Sequence, residues 1–185
     1  MYTNAIRACF RELGTSRQVE ARQPLLRAGD VARRLYLIEQ GCARLYVIDE
    51  EGRETSTQFF FEGDVVSSLD SLLSGQPSAL NLATMEACHL QVVEASALMQ
   101  RARADTALQS ELQALTQRRL IHYIKLYTSA IAHSPTRRYL DLKAAHKGQL
   151  DRIPLNILAG YLGVSAVHLS RIRRKLKIAL PQVTP

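Results

Sequence analysis

The side chains of this chain best placed to do chemistry are cations, and the chemistry is recognition of a polyanion. His168, Arg171, Arg173, Arg174, Lys175 and Lys177 follow one another closely with no acidic residue among them. Guanidinium and ammonium groups gathered on one element are the electrostatic footprint of a nucleic-acid binder, because each phosphate they neutralise releases condensed counterions. Covalent or metal chemistry has no comparable candidate. Of His89, His122, His133, His146 and His168, only His89 falls in the β-rich stretch, and no HxH pair occurs. A metal-dependent barrel enzyme therefore lacks its ligands. Cys9, Cys42 and Cys88 are odd in number, far apart and outside any CxxC pair. That spacing argues against a disulfide framework, a zinc site or an iron–sulfur cluster. The three read as small buried apolar residues, with a redox-sensing thiol as the alternative. No catalytic residue, metal ligand or cofactor is assigned.

The elements that must hold the cations lie in Ile153–Leu176, IPLNILAGYLGVSAVHLSRIRRKL. Leu155, Leu158, Ala159 and Leu162 fall at helical spacing, as do Val164, Leu169, Ile172 and Leu176. Pro154 can open the first helix, where its missing N–H costs nothing. Ala159 is small where two crossing helices must approach. Gly163 sits at the bend, where a positive φ is cheap only for glycine. Ser165 can cap the second helix by accepting a hydrogen bond from an orphan N–H. Two helices joined by a tight glycine-containing turn make the helix-turn-helix plan, and the one-signed charge on the second points to double-stranded DNA. The competing reading is a solvated face on an ordinary helical bundle. RNA is disfavoured, since no aromatic residue stands among the basic ones for stacking on unpaired bases.

Charge is unevenly shared along the 185 residues. From Ser134 to Pro185 there are ten of the 24 basic and two of the 17 acidic residues, a balance of +8. The remaining fourteen basic and fifteen acidic residues give −1. No apolar run approaches the roughly 18 residues of a membrane span, and the start, MYTNAIRACFREL, lacks a signal-peptide core. A cytoplasmic protein is expected. Met1 to about Leu13 reads as a short helix with Ile6, Phe10 and Leu13 on one face. From Val19 to about Val93 the spacing predicts short strands: Pro24–Arg27, Leu35–Glu39, Ala43–Ile48, Thr55–Phe61, Asp64–Val66, Leu80–Thr84 and Leu90–Val93. Glycines at 29, 41, 52, 63 and 75 punctuate them, a pattern for an antiparallel barrel or jelly roll. Asp49–Arg53 is the clearest hairpin tip. A short helix is predicted near Ala95–Arg103, then one long helix from about Thr106 to His133, roughly 39 Å long. Its apolar positions Leu108, Leu112, Leu115, Leu120, Ile124, Tyr127 and Ile131 form a stripe suited to a two-helix seam with a second copy. The alternative is packing wholly on its own barrel. Ser134-Pro135 ends that helix; Thr136–Ala145 should be another, with Tyr139, Leu140 and Leu142 inward, and Pro181 should stop the last.

In that order the motifs Arg27–Asp30, Leu35–Gly41 (LYLIEQG), Arg44–Tyr46, Asp49–Glu54 (DEEGRE), Phe59–Asp64 (FFFEGD) and Ile153–Leu176 stand along nearly the whole chain. The chain thereby resembles the Crp/Fnr family of bacterial transcription regulators. The resemblance implies an α+β protein in three parts. Residues 1–105 would form a cyclic-nucleotide-binding-like β-roll (jelly-roll barrel), 106–133 a dimerisation helix, and 134–185 a helix-turn-helix DNA-binding domain. The family usually adds a β-hairpin wing after the recognition helix, and the short stretch beyond Pro181 leads us to expect only a truncated or absent one. Implied partners are double-stranded DNA at a near-palindromic site, a second copy of the chain and RNA polymerase, with no membrane.

By the same resemblance, Ala166, Val167 and Arg171 face base edges, while Ser165, His168, Arg174 and Lys177 take phosphates. Cyclic-nucleotide binders of the family hold ribose with Gly-Glu and phosphate with Arg-Ser after a Gly-Asp turn. Laid on Gly63-Asp64, that pattern puts Ser67-Ser68 at the first pair and Ser78-Ala79 at the second. With no guanidinium for the anion, this effector pocket is read as degenerate and not a cAMP site, and no other small-molecule effector is identified. An effector-responsive regulator, or a protein-interaction module without DNA binding, are the alternative functions.

Overall fold

The computed structural model describes residues 4–146 and 148–179. After helix α1 (Asn4–Leu13) come strands β1 (Thr15–Val19), β2 (Pro24–Leu26), β3 (Arg34–Gln40), β4 (Ala43–Ile48), β5 (Glu54–Phe60) and β6 (Val65–Val66). Helix α2 (Leu69–Ser74), β7 (Asn81–Thr84), β8 (Cys88–Glu94) and α3 (Ala95–Arg103) follow. Helices α4 (Thr106–Ala132), α5 (Pro135–Ala145), α6 (Leu155–Tyr161) and α7 (Ala166–Ala179) complete the chain. Two four-stranded sheets, β1-β8-β3-β6 and β2-β7-β4-β5, are antiparallel throughout and face one another. The α+β architecture with antiparallel sheets and a long helix is the one the sequence predicts. Two elements carried no signal. Strand β1 is largely exposed, so it lacks an apolar alternation, and α2 is only six residues long.

Strand parity distributes the apolar runs among three cores, since successive side chains leave opposite faces. In β3, Tyr36 and Ile38 point into the sandwich with Leu45, Phe60, Leu82 and Leu90. Leu35 and Leu37 point the other way, against Ile6, Phe10, Leu98 and Leu108 of the flanking helices. The triple phenylalanine divides likewise. Phe60 enters the sandwich, whereas Phe59 and Phe61 join Tyr139, Leu158, Leu162, Leu169 and Ile172 of the last helices. The C-terminal helices are thus packed on the barrel of their own chain. Leu13 and Leu140, both expected inside, are exposed: Leu13 is the last residue of α1, and Leu140 stands about 100° around α5 from the buried Tyr139.

Helix α4 begins on an Asp105 cap, whose carboxylate accepts from the Leu108 N–H at 3.0 Å. Its stripe splits by position. Leu108, Leu112 and Leu115 pack against α1 and the barrel, and Glu111 accepts from the Ala5 and Ile6 N–H groups at 3.2 and 3.0 Å. Beyond them Leu120, Ile124, Tyr127 and Ile131 are 60, 54, 69 and 70% exposed. Ser134 then caps α5, accepting from the Arg137 N–H at 3.3 Å, with Pro135 in its first turn. The predicted stop at Pro181 lies outside the described residues.

Candidate nucleic-acid interface and the serine cassette

Helix α7 owes its orientation to the turn before it. Gly163 has φ +66°, and an added Cβ would meet only the Arg138 Nη2 at 3.8 Å, so the demand for glycine there is one of backbone conformation, not space. The Val164 N–H donates to the Ala159 carbonyl at 3.0 Å, and Arg138 Nη2 reaches from α5 to donate to the Leu162 carbonyl at 2.6 Å. Ser165 Oγ accepts from the His168 N–H at 3.2 Å, capping the helix. One side of α7 buries Leu169 and Ile172 against Leu158, Ala159, Leu162 and Tyr139, with Leu176 packed beside them. Truncating a fully buried leucine such as Leu158 costs about 2–5 kcal/mol, so that side is firmly committed.

The opposite side is free. Val167 is 62% exposed, and Ser165, His168, Arg171, Arg174 and Lys175 are exposed with it. Val167, Arg171 and Arg174 lie at i, i+4 and i+7, a row roughly 10 Å long along one line of the helix. Ala166 is half-buried against the core. Arg173 does not join the outward row that the charge pattern suggests. Its guanidinium lies 5.6 Å from the centre of the Tyr139 ring, and its Nε and Nη2 are buried without a hydrogen-bond partner. The ring face attracts the guanidinium electrostatically, which offsets part of the hydration lost there. The Lys177 side chain lies outside the described residues.

The serine cassette is held by the protein itself. Gly63, at φ +85°, turns the chain between β5 and β6, and Asp64 accepts from the Phe61 N–H at 3.0 Å. Ser67 Oγ donates to the Arg34 carbonyl at 2.7 Å. Ser68 is fully buried, its hydroxyl 2.5 Å from Asp70 Oδ1 and 2.7 Å from Ser78 Oγ. Ser78 Oγ in turn lies 2.9 Å from the Leu80 carbonyl. Ala79 is exposed. Ser71, which no sequence pattern singled out, is buried and accepts from the Ala32 N–H at 2.9 Å. These hydroxyls already have protein partners and present no fixed positive charge.

The junction between barrel and C-terminal helices carries an ion cluster that sequence reading missed. Arg152 grips Glu62 with Nη1–Oε2 and Nη2–Oε1 distances of 2.9 and 2.7 Å and also pairs with Glu86. Arg152 holds the Glu62 carboxyl down to about 2. The partners lie 90 and 66 positions apart, so no local spacing announces them. The Phe59 and Tyr161 rings, 5.1 Å apart, seal the same junction. Burial pushes the Cys42 thiol up to about 12 and the Cys88 thiol up to about 11. Among the described residues, no group of three or more His, Cys, Asp or Glu side chains is arranged to hold a metal ion, and no helix is long and apolar enough to cross a membrane.

Residues 16–105 match the cyclic nucleotide-binding domain family. The global nitrogen regulator of Synechococcus elongatus is 26% identical over 215 aligned positions, spanning 97% of this chain and 96% of that protein. Among solved structures, FixK2 from Bradyrhizobium japonicum superposes with a TM-score of 0.77 at 19% identity, over 90% of this chain and 86% of its own. CLP, the c-di-GMP responsive global regulator of Xanthomonas campestris, does so at 0.73 and 18%, over 94% and 91%. These structural neighbours are Crp/Fnr-family regulators, and the fold of this chain is theirs. The cyclic nucleotide-binding fold accounts for the sandwich and the turn at Gly63.

Proposed function

We propose that this chain is a homodimeric, sequence-specific DNA-binding transcriptional regulator of the Crp/Fnr type, and that its serine cassette does not take cAMP. The observation that carries the reading is the two-sidedness of α7. Its apolar side is locked into a core, which leaves a convex, cationic, acid-free side with Arg171 and Arg174 on one line. A helix of that shape fits the major groove. In this reading α6, the Gly163 turn and α7 form a helix-turn-helix, with residues 1–105, 106–133 and 134–185 as β-roll, dimerisation helix and reading domain. Arg171 donates two hydrogen bonds to guanine O6 and N7, and Val167 offers apolar contact to a thymine methyl, with Ala166 beside it. Ser165, His168, Arg174 and Lys177 contact phosphates.

Dimerisation is supported by the exposed row Leu120, Ile124, Tyr127 and Ile131, whose steps of four, three and four match a coiled-coil seam. A symmetric pair would place two reading helices about one DNA turn apart, roughly 34 Å. The cassette reading is supported by Ser68 and Ser78, which bond to each other where the family's cAMP binders place polar and cationic groups toward the ligand. Regulation of transcription is supported by the similarity to a global nitrogen regulator. The test is selection of bound sequences from a random duplex pool, with and without a metabolite extract. A near-palindromic site enriched without extract is expected. A strictly monomeric protein that enriches no duplex at low ionic strength would remove the proposal.

A further inference from the structure

A cleft of about 590 Å³ opens within the C-terminal helices, between α5 and one flank of α7. Tyr139, Leu155 and Leu176 supply its apolar part. Its polar part comes from three elements. Lys143 stands in the last turn of α5, Asp151 in the connection between α5 and α6, and Ser170, Arg173 and Arg174 on α7. Three cations and one acid leave this wall a balance of +2. Lys143, Ser170, Arg174 and Asp151 are all exposed, so the acid is screened by water and the donors are open to a partner.

The cleft continues the exposed row of α7, because Arg174 belongs to both. Ser170 and Arg174 stand at i and i+4, and Arg173 lies between them and α5, so the wall steps round the helix from the row toward Lys143. Arg173 acts at a distance. With its guanidinium packed on the Tyr139 ring, its charge is fixed in place and raises the potential of the cleft without touching what fills it. Lys143, Ser170 and Arg174 are the groups able to touch. An ammonium and a guanidinium can only donate, and a hydroxyl donates readily beside them. Donors converging under a positive potential ask for an oxyanion. Since the cleft and the row share Arg174, that oxyanion belongs to whatever lies along α7.

We propose that this cleft seats one phosphate of a DNA backbone, held by Lys143, Ser170 and Arg174, at the wall of the groove that α7 enters. The proposal rests on the DNA-binding reading above and adds α5 to the interface. A helix in the major groove has a sugar–phosphate chain on either side. A phosphate held beside the helix fixes how deeply it enters and in which register. Lys143 is therefore a positioning residue: it sets where Arg171 meets the bases and reads no sequence itself.

Mobility shifts of the full chain on the selected site and on random duplex, at several salt concentrations, test the seat. Lys143→Gln should weaken both alike, about three- to tenfold at roughly 0.1 M salt, and reduce the slope of log affinity against log salt by about one. Its thermal midpoint should stay where it is, because Lys143 is exposed. Asp151→Asn should strengthen both by about twofold, since it removes a like charge from beside the phosphate. Replacing the phosphates of a half-site one at a time by neutral methylphosphonates then locates the contact. One position should weaken the wild type about three- to tenfold and Lys143→Gln by a markedly smaller factor. A folded Lys143→Gln protein that keeps its affinity and salt slope, or equal penalties in the two proteins at every phosphate, would overturn the seat and leave the DNA-binding reading standing. Inorganic phosphate that binds the wild type and not Lys143→Gln, with duplex affinity equal in the two, would make this a small-anion site and overturn it as well. A wild type that binds no duplex would overturn both readings.

Discussion

Arg171 and Arg174 stand on the same exposed line of α7, yet the proposed roles differ, and single substitutions separate them. Arg171→Ala should lose about 1–3 kcal/mol on the selected site and little on random duplex, because only a base-edge contact is sequence-dependent. Arg174→Ala should weaken both duplexes alike and shrink the slope of affinity against salt by about one counterion. Mobility shifts at several salt concentrations measure both. An Arg171→Ala protein that keeps its site preference would reverse the assignment. The cysteines make a second case at this scale. Cys9, Cys42 and Cys88 are all buried, and burial raises each thiol, with Glu12 adding to the effect at Cys9 and Glu86 at Cys42 and Cys88. Little thiolate exists near pH 7, and only the thiolate attacks disulfides. Native protein should react with an aromatic disulfide reagent slowly, at the rate of unfolding, and fully once denaturant is added. Rapid labelling of one thiol in the native state would restore the redox-sensor reading.

Helix α4 spends its first half and its second half differently. Up to Leu115 its apolar residues are committed to α1 and the barrel. From Leu120 onward the stripe residues Leu120, Ile124, Tyr127 and Ile131 are exposed in the single chain. Four large apolar side chains on one line of an exposed helix exceed what a monomer surface ordinarily tolerates. Ile124→Glu with Ile131→Glu should therefore convert dimer to monomer in sedimentation velocity, because charges in the seam would lose water without gaining a partner. The same double variant should keep its fold, since neither side chain touches the chain's own core, and should lose most site-specific DNA affinity. A dimer that survives the two glutamates would place the seam elsewhere.

At the scale of the molecule, the C-terminal helices are fastened to the barrel by Phe59, Phe61 and the Arg152 cluster. Glu62 is the titrating member. Its carboxyl is held down from 4.5 to about 2, so its pairing stabilises the docked arrangement fully above pH 4.5 and is lost as pH falls toward 2. Between pH 5 and 8 this pair contributes no pH dependence. Thermal melts of the wild type and Glu62→Gln should therefore run parallel over that range, with the variant less stable, and converge between about pH 4.5 and 2. A difference that persists at pH 2 would mean the variant acts through something other than the ion pair.

Local geometry was legible in the residues because its causes are local. Glycines 29, 41, 52, 63, 75 and 163 all take positive φ, and a Cβ clash is felt wherever the rest of the chain lies. Strand runs, the Ser165 cap and the two helices around Gly163 follow from spacing and hydrogen-bonding type in the same way. Tertiary structure alone decided which phenylalanine of the triple run faces the sandwich and which the last helices. It also turned Arg173 onto Tyr139, divided the α4 stripe, and brought Arg152 to Glu62 across 90 positions. Each of these depends on a partner supplied by a distant element, and a residue's own type and neighbours hold no record of what folds against it.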